Sequence, residues 1–203
     1  MSTTAIVPLK PKVTAKSRLG FNQATRAVLA NAMATDLLAS CQTASGIDEV
    51  IVAGTAPAEL SVTEIPDLKQ GLNLALGDVL TALPPQDQVI ILLGDLPCVR
   101  STDIDLALEL AGARSRSTHR AGSMICDAVG TGTTTLIGGA GTLIPRFGPH
   151  SRALHREQGY VELQEVELSR LRRDVDSMSD LVDAVRIGTG PATSSAAETI
   201  LLG

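Results

Sequence analysis

Val89-Ile90-Ile91-Leu92-Leu93-Gly94-Asp95-Leu96-Pro97 decides how the rest of the chain is read. Five consecutive apolar residues fit a strand buried on both faces, as in the middle of a parallel sheet. Gly94 permits a sharp turn, and Pro97 keeps the chain from continuing as a strand. Asp95 is thereby delivered to the carboxyl end of a central strand, where open α/β sheets bind their ligands. A carboxylate in such a dry crevice is costly unless positive charge meets it, and a divalent cation carrying a phosphate supplies that charge.

Working outward, residues 4–9 form a first strand and residues 22–41 carry Ala, Leu and Met at helical spacing. Residues 48–54 form a second strand ending in glycine. A helix over 72–83, stopped by Pro84-Pro85, leads into the Asp95 strand, and another helix over 102–111 follows it. This β-α-β-α-β rhythm predicts a parallel sheet with right-handed crossovers. The second half is less regular. A short strand at 122–126 precedes the polar run Gly130-Thr131-Gly132-Thr133-Thr134-Thr135 and a glycine-rich turn at 138–141. An alternating strand at 161–166 and a short helix at 179–186 complete it. One domain is expected over 1–187, with a mobile tail at 188–203, where residues are small and polar until Thr199.

Composition narrows the function classes. The 203 residues suit one domain, and a chain of this size can bury roughly 70% of its unfolded surface. Phe21, Phe147 and Tyr160 are the whole aromatic complement, so the core is built from aliphatic residues and stacking platforms for single-stranded nucleic acid are missing. The net charge of −5, with both signs interspersed, gives no electrostatic footprint for nucleic acid. Cys41, Cys98 and Cys126 form no Cys-x-x-Cys and are expected to be reduced and at least half-buried. No apolar run approaches the ~18 residues of a membrane span, and nothing resembles a signal peptide. A cytoplasmic location with no membrane partner is expected.

Four clusters can carry chemistry. The first, residues 7–19 (Val-Pro-Leu-Lys-Pro-Lys-Val-Thr-Ala-Lys-Ser-Arg-Leu), places Lys10, Lys12, Lys16 and Arg18 directly after the first strand. Arg offers a planar fork to phosphate oxygens and Lys a mobile point charge; the plainer alternative is a solvated basic loop. A P-loop is excluded, since no Gly-x-x-x-x-Gly-Lys-Ser/Thr occurs. The second cluster joins Asp95 to Asp174-Val175-Asp176, whose two carboxylates share one side of an extended segment. One carboxylate from each region can bracket Mg²⁺, although acids also favour the start of the helix that follows. In the third, Asp127 through Thr135, glycine N–H groups and threonine hydroxyls suit a phosphate or carboxylate, or an ordinary turn. The fourth is Phe147-Gly148-Pro149-His150-Ser151-Arg152-Ala153-Leu154-His155, where Ser151 can cap a helix that holds an anion. No further His or Cys stands at zinc-ligand spacing, so His155 is expected to be a structural or hydrogen-bonding support.

Over nearly its whole length the chain resembles the CofC/FbiD-type guanylyltransferases. The resemblance rests on Val7-Pro8-Leu9-Lys10 with Lys16-Ser17-Arg18-Leu19, on Gly71-Leu72-Asn73, on Gly94-Asp95-Leu96-Pro97, on Gly130-Thr131-Gly132-Thr133-Thr134, on Phe147-Gly148-Pro149-x-Ser151 and on Asp174-Val175-Asp176. Gly-Asp-Leu-Pro recurs across many nucleotidyltransferases; the order and spacing of the set make the match specific. Two positions depart from the pattern: Ser177 where Thr is commoner, and Cys126 before Asp127 where Pro is usual.

The resemblance implies a single-domain, GT-A-like and Rossmann-related α/β fold, with a mainly parallel central sheet flanked by helices. It implies condensation of GTP with a small phosphorylated acid and release of pyrophosphate, in the biosynthesis of coenzyme F-420. Lys16 and Arg18, with Lys10, would hold the triphosphate and the departing pyrophosphate. Gln70, Gly71 and Asn73 would lie near guanine or ribose, with Gly94 also at the nucleotide. Asp95 with Asp174 or Asp176 would bind Mg²⁺, and Thr133, Gly148 and Ser151 would hold the acceptor. Homodimers are a further family expectation. Phosphoenolpyruvate is the acceptor favoured here, with 2-phospho-L-lactate and 3-phosphoglycerate open. The rival readings are a nucleotidyltransferase using CTP or UTP on the same fold, and a non-catalytic nucleotide-binding module.

Overall fold

The protein was analysed as a computed structural model, which describes residues 2–9, 20–66, 71–115 and 121–202. In chain order the elements are β1 (Thr3–Pro8), α1 (Gln23–Thr43), β2 (Glu49–Ala53), β3 (Thr63–Ile65), α2 (Leu72–Ala82), β4 (Gln88–Leu92) and α3 (Ser101–Ser115). Then come β5 (Ser123–Cys126), β6 (Thr133–Gly139), α4 (Ser151–Glu157), β7 (Val161–Glu162), a 3-10 helix (Val166–Arg172), α5 (Met178–Ile187) and α6 (Pro191–Leu202). The strands form one sheet in the order β3-β2-β1-β4-β6-β5-β7. β6 runs antiparallel to both neighbours, and every other pair is parallel. The α/β fold with a mainly parallel sheet matches the sequence-based expectation.

The apolar run at 89–92 explains the layering. Ile90 and Leu92 face a core shared with α1, α3 and the 3-10 helix, whereas Val89 and Ile91 face α2 through Leu76, Val79 and Leu80. A strand whose successive side chains alternate between two buried layers has no polar face to show. β1 follows the same rule, with Ala5 and Val7 in the first core and Ile6 in the second. A third cluster joins Leu29 and Met33 of α1, Cys98, Val175, Leu181, Ala184 and Ala197. All three cysteines are buried and unbridged. Among the described residues no helix is long and apolar enough to cross a membrane.

The second half departs from expectation in three places. Residues 133–139 were expected as loop and turn and instead form β6, in register between β4 and β5. Thr134 is buried because its hydroxyl donates to the Leu171 carbonyl at 2.6 Å, so a polar residue costs little there. The expected strand at 161–166 is only the two-residue β7, after which the chain tightens into the 3-10 helix. Residues 191–202, expected to be part of a mobile tail, form α6 against α1, with Thr193 and Ala197 buried. The physical reason lies in α1: the Asp36 carboxylate accepts the Ala192 and Thr193 N–H groups at 3.0 and 2.7 Å, capping α6 from a distance. Gly190 makes the approach possible, since a Cβ there would stand 2.3 Å from Asp36 Cγ.

Candidate active site

The strand order reverses between β1 and β4, and a crevice opens beyond their carboxyl ends, as at the switch point of any open α/β sheet. Two glycines make room for the chain leaving β1. A Cβ on Gly54 (φ 130°) would lie 2.3 Å from the Leu9 carbonyl oxygen, and one on Gly94 would lie 2.4 Å from Leu9 Cδ2 and 3.1 Å from the Pro8 oxygen. Gly94 thus serves the turn expected from sequence and, in addition, the close approach of the chain leaving β1. The cleft holds about 850 Å³, counting its open mouth, and is lined by Leu9, Asn31, Met33, Thr55, Leu72, Gly94, Asp95 and Asp176 among others.

Asp95 and the segment 174–176 are joined by the backbone: the Val175 N–H donates to the Asp95 carbonyl at 3.1 Å. Val175 is fully buried in the third core cluster, which anchors the acids on either side of it. Burial of such a side chain is worth about 1.5–3 kcal/mol. The start of α5 is capped independently, by a reciprocal pair between Ser177 and Asp180. The acids at 174 and 176 are thus not required as caps, which removes the plainer reading of them. Asp174 is half-buried and Asp176 exposed. Burial, then the charges of Asp95, Asp176 and Asp127, push the Asp174 carboxyl up to about 7.

Oxygen donors under mutual repulsion suit a hard divalent cation and not zinc or a soft metal. No group of three or more His, Cys, Asp or Glu encloses a metal position among the described residues. The carboxylates at the mouth could serve as ligands of such a cation, its shell completed by water and phosphate oxygens.

On the other side of β4 the polar groups are engaged within the fold. Asp127 Oδ1 accepts the Gly130 and Thr131 N–H groups at 2.6 and 2.9 Å, and Oδ2 accepts Gly132 N–H at 2.7 Å. The glycine N–H groups proposed from sequence for an anion are therefore turned onto Asp127. Thr133 N–H donates to Ser151 Oγ at 2.9 Å, and Thr133 Oγ1 lies 2.9 Å from His155 Nδ1. Thr133, Ser151 and His155 are 3%, 1% and 0% exposed. The Thr133 and Ser151 side chains hold the loop together, and Gly148 leaves its backbone exposed. Arg146 N–H donates to His155 Nε2 at 3.0 Å, so the proton of the neutral ring sits on Nδ1 and points to Thr133. Burial and then Arg146 push the His155 pKa down to about 4, in keeping with its expected supporting role.

The loop at 146–151 is held in an unusual shape. Gly148 has φ 136°, and His150, the cap of α4, has φ 58°, a left-handed conformation that costs a non-glycine residue about 1–2 kcal/mol. Asn73, in the first turn of α2, fixes this loop from outside. Phe147 N–H donates to Asn73 Oδ1 at 2.8 Å, and Asn73 Nδ2 donates to the Phe147 carbonyl at 2.9 Å. The amide expected near guanine or ribose is thus committed to the opposite loop. Gly71, with φ 95°, is the exposed N-cap residue of α2.

The structure thus brings Asp95, Gly94, Asp174 and Asp176 to one mouth, and Thr133, Gly148 and Ser151 to a neighbouring wall. Lys10, Lys16, Arg18 and Gln70 lie outside the described residues. The supporting roles of Asp127 and Asn73 escaped the sequence reading, although Asp-x-x-Gly is a signal for a carboxylate closing a turn on its own backbone.

The family model for CofC-like guanylyl transferases matches residues 3–190. A phosphoenolpyruvate guanylyltransferase of Streptomyces scabiei is 36% identical over 219 aligned residues, covering all of this chain and 99% of the relative. Among solved structures, a candidate nucleotide-diphospho-sugar transferase from Desulfovibrio desulfuricans superposes with a TM-score of 0.69 at 14% identity, covering all of this chain and 97% of that one. A Mycobacterium tuberculosis protein solved in complex with manganese gives a TM-score of 0.51 at 18% identity over 91% of this chain and 98% of that one.

Proposed function

The chain belongs to the CofC-like guanylyl transferase family and is a nucleotidyltransferase, and from that premise we propose that it transfers GMP from GTP to phosphoenolpyruvate. The observation that carries the reading is the carboxylate mouth of Asp95 and Asp174 beside a cleft at the switch point of the sheet. A phosphate oxygen of the acceptor attacks the α-phosphorus of GTP in line; the bond between that phosphorus and the bridging oxygen to the β-phosphate breaks, and pyrophosphate leaves. The product is a phosphoanhydride between GMP and the acid, placed in the supply of coenzyme F-420. The acceptor phosphate is largely a dianion near neutral pH, so no strong general base is needed. Positioning and charge stabilisation do the work.

Asp95, together with Asp174 or Asp176, would hold Mg²⁺, and the bound ion would supply charge neutralisation at the phosphates. Lys16 and Arg18, with Lys10, neutralise the triphosphate and the leaving pyrophosphate. Gln70 and Gly71 would contact the base and ribose, and Gly94 keeps the strand mouth open to the nucleotide. Gly148 offers its exposed backbone to the acceptor, within a wall that Thr133 and Ser151 hold in shape. The name that the Streptomyces relatives carry, phosphoenolpyruvate guanylyltransferase, supports choosing that acid over 2-phospho-L-lactate or 3-phosphoglycerate.

Pyrophosphate release, measured with GTP, CTP and UTP against each of the three acids and coupled to the product mass, tests the proposal. The expected result is release with GTP and phosphoenolpyruvate above all other pairs. Preference for CTP or UTP would replace it with the rival transferase, and GTP binding without release would replace it with a binding module.

A further inference from the structure

Ties local to its own wall hold the loop at 146–151, among them Arg146 N–H to His155, Thr133 N–H to Ser151 Oγ, Ser151 N–H to the Gly148 carbonyl, and the Ala153 and Leu154 N–H groups to the His150 carbonyl. The paired hydrogen bonds of Asn73 with the Phe147 backbone, by contrast, arrive from 74 residues away in sequence. Asn73 sits next to Leu72, which lines the cleft that contains Asp95, and its own side chain borders the adjoining groove with Arg146. The residue after Phe147 is Gly148, exposed and left-handed, so any shift at Phe147 is passed directly to the strained part of the loop.

We infer that Asn73 is a positioning residue that ties the acceptor loop to the start of α2, so that nucleotide in the cleft orders the loop at 146–151 before the acceptor arrives. The inference deepens the guanylyl-transfer reading and rests on it for the ligand. A strap with two hydrogen bonds in one amide plane fixes both position and rotation of the Phe147 peptide. Coupling through it is reciprocal, so acceptor in the loop must tighten GTP by the same factor.

Hydrogen exchange of the peptide spanning 144–152, with and without Mg-GTP, tests this alongside GTP affinity by calorimetry. Wild type is expected to gain about tenfold protection on GTP binding, within the usual range of such couplings. Asn73→Ala is expected to bind GTP within about threefold of wild type but to gain no protection, with the acceptor KM raised about tenfold and kcat nearly kept. Asn73→Asp retains the acceptor for Phe147 N–H and loses the donor, so it should gain intermediate protection; it serves as the second reading if the alanine variant folds poorly. Full GTP-induced protection in either variant overturns the strap. Wild-type protein that binds GTP without protecting the peptide overturns the strap alone, whereas wild-type protein that binds no GTP overturns the guanylyl-transfer reading and the strap with it.

Discussion

The two sides of β4 treat carboxylates in opposite ways. Asp127 meets three backbone N–H groups, all within 2.9 Å, and closes a loop with them. Asp174 meets burial and the negative charges of Asp95, Asp176 and Asp127, and its carboxyl rises to about 7. A carboxylate supplied with donors is scaffold; one pressed against its own kind is set for a cation brought by a ligand. The same contrast separates His155, whose two ring nitrogens are both engaged in the wall, from the acids at the mouth.

The largest effect that can break this comparison is on turnover. Asp95→Asn should lower kcat by about 10³-fold while leaving thermal stability equal or higher, because it removes a repelling charge from Asp174. Loss of folding together with activity would place Asp95 with the scaffold. Asp127→Ala should do the reverse: urea unfolding should show a loss of about 1–3 kcal/mol, as three loop N–H groups lose their acceptor, with turnover reduced far less than by Asp95→Asn.

The pH dependence of stability in metal-free protein should separate the two sides by sign. The folded pKa of His155, about 4, lies below its unfolded value of 6.5. The unfolded chain therefore binds the extra proton, and the stability from this group, full above pH 6.5, is lost as pH falls toward 4. The folded pKa of Asp174, about 7, lies above its ordinary 3.8. Here the folded chain holds the extra proton, so stability is greatest below pH 3.8 and declines as pH rises through 7. Thermal unfolding across pH 4–8 in wild type and Asp174→Asn checks this: the variant should lose the decline toward pH 7 and keep the His155 slope. The smallest expected effect lies farthest from the mouth. Asp36→Ala, by uncapping α6, should cost about 1 kcal/mol by urea unfolding and leave GTP affinity unchanged.

Much of this arrangement was legible in sequence because it follows from strong, local signals. The apolar run at 89–93, the Gly-Asp-Leu-Pro turn and the Asp174-Val175-Asp176 triplet fixed the sheet centre and the acidic mouth. What escaped depends on partners far along the chain. Thr133-Thr134-Thr135 has the look of a polar loop until Leu171 and His155 supply buried partners for Thr134 and Thr133. The small and polar residues at 191–199 carry weak helical amphipathicity, and their helix is capped by Asp36 of α1. Asn73 was noticed for its neighbourhood, but nothing local foretells that its amide meets Phe147.

The contrast between the two sides of β4 is tested most directly by Mn²⁺ binding, followed by electron paramagnetic resonance with a non-hydrolysable GTP analogue present. One ion should bind to wild type, about tenfold or more tightly at pH 8 than at pH 6, since the Asp174 carboxyl beside Asp95 must lose its proton. Binding should disappear in Asp95→Asn and persist in Asp127→Asn. Equal binding to wild type and Asp95→Asn would contradict the assignment of the β4 mouth as the metal-holding, reacting centre.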